Sequence, residues 1–274
     1  MATVNTNVGA MIALQSLNMT NRELAMVQNR INTGLAVSSA KDNGAVYAIA
    51  QSMRSDIAGL RAVTQSLDRG VSTVDVSIAA AEGISDLLIE MKEKALAASD
   101  ASLDTASRDA LNEDFTALLS QITTMYSNAV FNGTNIVDGS DTSVTALADA
   151  DGTTVITVQG EDLSLGGSVI TIASTGSIST QTDAAAMVTT VETSLQNLNE
   201  ALARLGTSAK KLEVHRTFVS KLSDALKAGV GNLVDADLAV ESAKLQSLQV
   251  KQQLGLQALS IANAAPQTLL ALFR

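Results

Sequence analysis

His215 is the only histidine in the chain, and there is no cysteine to accompany it. A lone imidazole cannot assemble the His and Cys sets that hold zinc or iron. It lies in Lys211–Ser220, a run with helical spacing, which assigns it to a surface or a groove. No Ser–His–Asp relay can be built around it from spacing alone. Asp235 and Asp237 could offer two carboxylates to a cation, but a calcium or magnesium site needs a closed set of oxygen ligands that the neighbouring residues do not supply. Beside the start of a helix the same two acids are better explained by the helix dipole. No G-x-x-x-x-G-K-[ST] loop, dinucleotide fingerprint or H-E-x-x-H pair occurs. Asn18-Met19-Thr20 and Asn132-Gly133-Thr134 match the N-glycosylation pattern, which is too short to carry weight. These residues assign no catalytic, cofactor or metal site.

The elements that surround them are more informative. Residues 1–35 read as an amphipathic helix with Ala10, Leu17, Leu24 and Ile31 at heptad spacing, and Ala13 and Val27 three places on. Residues 235–263 repeat the pattern with Leu238, Leu245 and Leu259, interleaved by Leu248 and Ala262. Each stripe is too narrow to enclose a core, so each needs a partner helix. Gly34 falls where a left-handed helix cap is expected. A longer helix follows, in which Met53, Ile57, Leu60, Leu67, Val71, Val74, Ile78 and Ala81 keep the coiled-coil period. Val74, Val76 and Ile78 also alternate like a strand, but the flanking periodicity favours helix.

A third helix is expected from about Asp104 to Ala129. Asn132-Gly133 and Asp138-Gly139 then mark turns. Thr153–Val158 and Ser168–Ile172, joined by Gln159–Gly167, read as a hairpin. Helical spacing resumes near Asp183 with Met187, Val191, Leu195, Leu198, Leu202 and Leu205, and Gly229 and Gly231 suggest a joint before the last helix. The fold class is mainly α: an elongated antiparallel helical bundle or coiled coil, with paired N- and C-terminal helices and a small β-hairpin insert. A closed bundle gives the same periodicity.

Composition agrees with helix-on-helix packing. Of 274 residues, 46% are hydrophobic but only 2% aromatic, and Pro266 is the single proline. The net charge is −10, with no Lys or Arg between Arg108 and Arg204. Such a surface repels phosphate backbones and anionic membranes, which argues against nucleic-acid and membrane partners. The N-terminus lacks the basic and apolar regions of a cleaved signal peptide, and no segment is long and apolar enough to span a membrane. Residence in the cytoplasm, or export without signal cleavage, is the expectation.

At both ends the residues resemble the bacterial flagellins. Val4-Asn5-Thr6-Asn7, Leu17-Asn18, Asn29-Arg30-Ile31-Asn32-Thr33-Gly34, Ser39-Ala40-Lys41-Asp42 and Ala48-Ile49-Ala50 are similar to the family's N-terminal signature. Phe131-Asn132-Gly133-Thr134 with Val137-Asp138-Gly139 resembles its internal turn. Asp235-Ala236-Asp237, Glu241-Ser242-Ala243, Gln252-Gln253-Leu254-Gly255, Ala262-Asn263, Pro266-Gln267 and Leu269–Arg274 resemble its C-terminal signature. Asn43-Gly44-Ala45 departs from the commoner Asp-Ala-Ala, and Leu254 stands where Ala is usual. The short central region is similar to the alphaproteobacterial type.

The resemblance implies a structural subunit, not an enzyme, that self-assembles into the helical flagellar filament for swimming after export in unfolded form. It implies a terminal coiled-coil domain, residues 1–44 plus 235–274, and a helical domain, residues 45–234, with a β-hairpin region at about 133–182 and no large outer domains. Leu17, Leu24, Ile31, Leu238, Leu245, Leu248 and Leu259 are the implied filament-core interface. The implied partners are other flagellin subunits, the export apparatus, an export chaperone, the filament cap and hook-associated proteins, with no cofactor. The implied location is outside the cell. The Ser- and Thr-rich stretch 139–182 is where O-linked sugars would sit in this family, or the hydroxyls simply solvate a loop. Ile84–Ala98 aligns with the helix that an animal Toll-like receptor reads in enteric flagellins, with Glu90 in place of a central Arg. The hook–filament junction protein is the alternative within the structural class. A soluble helical enzyme would need a pocket of convergent titratable groups.

Overall fold

The structure is a computed structural model that describes residues 6–272, with side chains described from 6 to 264. Val4 and Asn5, and the side chains of Pro266, Gln267 and Leu269–Arg274, lie outside the described residues. The chain forms α1 (Val8–Thr33), α2 (Gly44–Ala98), α3 (Thr105–Asn128), β1 (Ser143–Leu147), β2 (Val155–Gln159), α4 (Gln181–Val234) and α5 (Leu238–Leu272). It divides into two compact units: Met1–Ser55 with Ala225–Arg274, and Asp56–Asp224. Both α2 and α4 supply residues to each unit.

In the first unit α1 packs on α5. Asn7 caps α1 by accepting the Ala10 N–H at 3.0 Å, and Gly34 closes it with φ 72° and a backbone bond to Arg30. That left-handed conformation is the one a side chain resists, which explains glycine there. Leu17 and Val27 are buried, with Ala10, Ala13, Leu24 and Ile31 half-buried beside them. From α5, Leu248 is buried and Leu245, Leu259 and Ala262 are half-buried. Leu238 differs from its stripe-mates: it is 49% exposed in the first turn of α5, just after a short bridge between Leu35 and Asp235. Asp237 caps that turn, accepting from Ala239 and Val240 at 3.0 and 3.1 Å.

The expected joint at Gly229 and Gly231 is absent; α4 runs through both glycines to Val234. A Cβ on Gly229 would lie 2.8 Å from Met53 Cε, and one on Gly231 would lie 2.8 Å from Asp235 Oδ2. Close approach, not a break, is what these glycines supply. The turn is made by Asp235–Asp237, where Ala36 and Ala236 exchange backbone bonds with Val234 and Gly34.

In the second unit α2, α3, α4 and the sheet enclose one core, with Leu67, Ile84, Leu88, Met91, Phe115, Ile122 and Leu198 fully buried. Val74 is buried in continuous helix, which resolves the helix-or-strand ambiguity. Asp104 caps α3 by accepting from Ser107 at 3.0 Å. The hairpin is not the expected one. β2 pairs antiparallel with β1, Val144 opposite Val158 and Ala146 opposite Ile156. Ser168–Ile172 forms no strand; its backbone bonds go to α4 side chains, Thr171 N–H to Ser194 Oγ at 3.1 Å and Val169 C=O to Asn197 at 3.3 Å. Val169, Ile170 and Ile172 are nonetheless buried, so the apolar signal was real but belonged to an irregular core segment.

Candidate functional site

The α1–α5 pair has two faces. On the inner face, α1 and α5 run antiparallel, and contacts descend α5 as they climb α1. Asn7 donates to the Ala262 carbonyl at 2.7 Å. Leu17 packs on Gly255, where a Cβ would lie 3.3 Å from Leu17 Cδ1. Gln252 donates to Asn21 Oδ1 at 2.8 Å. At the far end Arg30 Nη1 and Lys244 Nζ both donate to Glu241 Oε1, at 3.3 and 3.0 Å. The Glu241 side chain is only 7% exposed. Lys244 first, and Arg30 with it, hold its carboxyl below the usual glutamate range against the opposing effect of burial. Arg30 Nε and Glu241 Oε2 are buried without a partner.

The outer face is uncovered. On α1, Val8, Met11, Ile12, Leu14, Met19 and Met26 are exposed; on α5, Leu238, Val240, Val250, Leu254, Leu256 and Ile261 are exposed. Scattered apolar residues on a surface are ordinary, but rows of them along two paired helices leave an unusual amount of apolar surface in water. Of the residues expected at the interface, Leu17 and Leu248 close the inner seam, Leu24, Ile31, Leu245 and Leu259 line its edges, and Leu238 joins the outer row. Sequence reasoning missed the Arg30–Glu241 pair and the seating of Leu17 on Gly255. A glycine in the middle of an apolar helix was the available signal for the second.

The residues with chemical capability are dispersed. His215 sits in a groove with Nε2 2.8 Å from the Ala148 carbonyl and its ring 5.8 Å from that of Phe218. Glu90 is exposed on α2. Among the described residues no group of three His, Cys, Asp or Glu could hold a metal ion. Nor is any described helix long and apolar enough to cross a membrane. The arrangement can bind other helices.

Residues 4–142 match the model of the bacterial flagellin N-terminal helical region, and residues 188–273 match that of the C-terminal helical region. The chain belongs to the bacterial flagellin family. Flagellin FljM of Caulobacter vibrioides is 56% identical over 271 residues, covering 99% of this chain and 98% of that protein. A flagellin of Brucella melitensis is 38% identical over 283 residues and the whole of both chains. In fold, the chain resembles the Bacillus cereus flagellin crystal structure with a TM-score of 0.50 at 21% identity, over 56% of this chain and 88% of that one.

This flagellin is therefore a structural subunit of the bacterial flagellar filament, an extracellular polymer of flagellin subunits. Nothing favours the hook–filament junction alternative.

Proposed function

We propose that α1 and α5 form the filament-core interface of this flagellin, with Leu17, Leu24, Ile31, Leu245, Leu248 and Leu259 joining the two helices and Leu238 facing a neighbouring subunit. The exposed apolar rows on the outer faces of both helices carry this reading. Different patches on each subunit must meet to build an open helical polymer. The terminal helices act as one coiled-coil domain, residues 1–44 plus 235–274, and residues 45–234 form a second, helical domain that carries the β-hairpin. The subunit has no catalytic role. It is exported unfolded with the help of a chaperone, a route suited to a chain that cannot cross-link itself for want of cysteine. It then assembles below the filament cap on hook-associated proteins.

A lone helix with a narrow apolar stripe is marginal in water. In this proposal the terminal helices order as the subunit joins the filament, where burial offsets the entropy of ordering. Hydrogen exchange on the free subunit and on filaments tests this. Residues 8–30 and 240–262 should exchange fast in the former and slowly in the latter. Protection in the free subunit would refute it. Glu90 in place of Arg should also weaken Toll-like receptor recognition, and full potency in a receptor reporter assay would count against that.

A further inference from the structure

The 8 methionines of the chain divide by where their sulfur lies. Met1 is outside the described residues. Met91 is fully buried in the core of the second unit. Met53, Met125 and Met187 are half-buried, and the methyl of each is seated on a glycine, Gly229, Gly83 and Gly176 respectively. A Cβ added to Gly176 would lie 3.1 Å from Met187 Cε, and one on Gly83 would clash with the methyl of Met125. These four thioethers are packed from within the chain.

Met11, Met19 and Met26 are not. They are 62%, 48% and 50% exposed. About two helical turns separate each from the next, so all three lie toward one side of α1. Val8, Ile12 and Leu14 extend the row, and Met11 shares with them an open surface groove of about 600 Å³. The outer row of α5 is made of Leu238, Val240, Val250, Leu254, Leu256 and Ile261, which carry no sulfur. Among the described residues, exposed sulfur is thus confined to one face of one helix. A thioether is soft and adaptable in an apolar contact, and in a chain without cysteine it is also the group most open to oxidation.

We infer that Met11, Met19 and Met26 form a modification site at which a peroxide reversibly blocks assembly of the free subunit. A sulfur lone pair attacks one peroxide oxygen, the O–O bond breaks, an S–O bond forms, and the second oxygen leaves as water. The sulfur loses two electrons and the peroxide gains them. The sulfoxide turns a flexible apolar side chain into a polar one, and sulfoxide reductases reverse the change. A sulfoxide oxygen buried without a donor carries the cost of any unpaired polar group. The inference rests on the reading of the outer row of α1 as a filament contact. Within that reading the same burial that excludes a sulfoxide also shields the three thioethers once the subunit has joined.

Hydrogen peroxide applied to the full-length chain tests it. In the free subunit, peptide mass mapping should show Met11, Met19 and Met26 oxidised at least about tenfold faster than Met91. Once they carry sulfoxide, the critical concentration for seeded elongation should rise about tenfold or more. Sulfoxide reductases acting on both epimers should bring it back. In a chain with Met11→Leu, Met19→Leu and Met26→Leu together, the ratio of treated to untreated critical concentration should stay near one, although the other methionines still meet the oxidant. Unimpaired elongation by subunits bearing the three sulfoxides, or an equal rise in the leucine variant, would overturn the modification site. Preformed filaments address the underlying reading separately. There the three residues should oxidise about tenfold more slowly than in the free subunit. Equal rates would remove the outer row of α1 from the filament contact, while the elongation ratios would still decide whether oxidation blocks assembly.

Discussion

Arg30 and Glu241, 211 positions apart in the chain, meet at 3.3 Å and tie the end of α1 to the start of α5. The carboxylate also accepts from Lys244, so one buried oxygen carries two cations while its twin, Oε2, has none. Removing the carboxylate takes away the acceptor of Arg30 Nη1 beside an Nε that already has none. Arg30 is 29% exposed, so solvent screens part of the loss. Glu241→Ala should cost about 1–2 kcal/mol of pairing between α1 and α5. Filaments of this variant should melt at lower temperature than the parent's. An unchanged melting temperature would show the pair to be dispensable.

The same carboxyl gives a direction for acid. Its pKa is lowered from 4.5 in the folded pair, so its contribution is present above the ordinary glutamate range and is lost as pH falls through the depressed value. Acid should loosen the parental α1–α5 contact more than that of Glu241→Gln, which is already uncharged. Parallel pH-dissociation curves for the two filaments would contradict this.

Gly255 is the residue on which Leu17 rests. A Cβ there would sit 3.3 Å from Leu17 Cδ1, so a methyl demands a shift of a few tenths of an ångström and a larger group demands more. Gly255→Ala gains about 1 kcal/mol of helix propensity against that crowding and should be close to neutral. Gly255→Leu should destabilise the seam by about 1–3 kcal/mol. Thermal melts of filaments made from each variant will separate the two, and equal melting points would place Leu17 elsewhere.

What the sequence made legible follows from the range of the signal. Heptad spacing located α1, α2 and α5, because each exposes its period over several turns, although α5 continues nine residues beyond the expected 263, and α3 lies within one residue of its expected ends. Asp104 and Gly34 act only on their own helix ends, and both ends were found. The hairpin failed for the opposite reason. Ser143–Leu147 has a weak β pattern, while Val169, Ile170 and Ile172 have a strong one, yet tertiary contacts with Ser194 and Asn197 decided which segment pairs. Gly229 read as a break because local spacing cannot see Met53, which packs on it from a distant part of the chain, while Gly231 makes room for Asp235 one turn further along. The Arg30–Glu241 pair needed the antiparallel register, which no local window contains.

The hairpin is fastened to α2 at two points. Ser66 Oγ, buried on α2, accepts the Leu147 N–H at 3.1 Å. Gly59 faces the turn so closely that a Cβ would lie 2.6 Å from the Ala150 carbonyl oxygen. A backbone oxygen cannot rotate away as a side chain can, so Gly59→Ala must displace the turn. Hydrogen exchange should rise at residues 146–154 in this variant while α3 remains unchanged. Ser66→Ala should act in the same direction and cost about 1–2 kcal/mol, since it leaves one N–H without its acceptor. No change at either position would show that neither contact fastens the hairpin to α2.

Asp149 organises the same turn from within. Its carboxylate accepts from the hydroxyls and backbone N–H groups of Thr153 and Thr154. These bonds, led by the Thr153 and Thr154 hydroxyls, lower its pKa from 3.8 to about 2. Hydrogen bonds to the charged form favour that form, so the turn is held at any pH above the ordinary aspartate value and released only as pH falls toward 2. A carboxyl titration followed by NMR should therefore place Asp149 below the ordinary aspartate value of 3.8. In Thr153→Val the loss of one hydroxyl should move it back toward 3.8. If Asp149 titrated at the ordinary aspartate value, the turn would have to be held by the Ala148–Thr154 and Asp149–Gly152 backbone bonds. In that case Asp149→Asn would leave exchange at residues 148–154 unaltered; with the carboxylate in control, the same substitution should speed it.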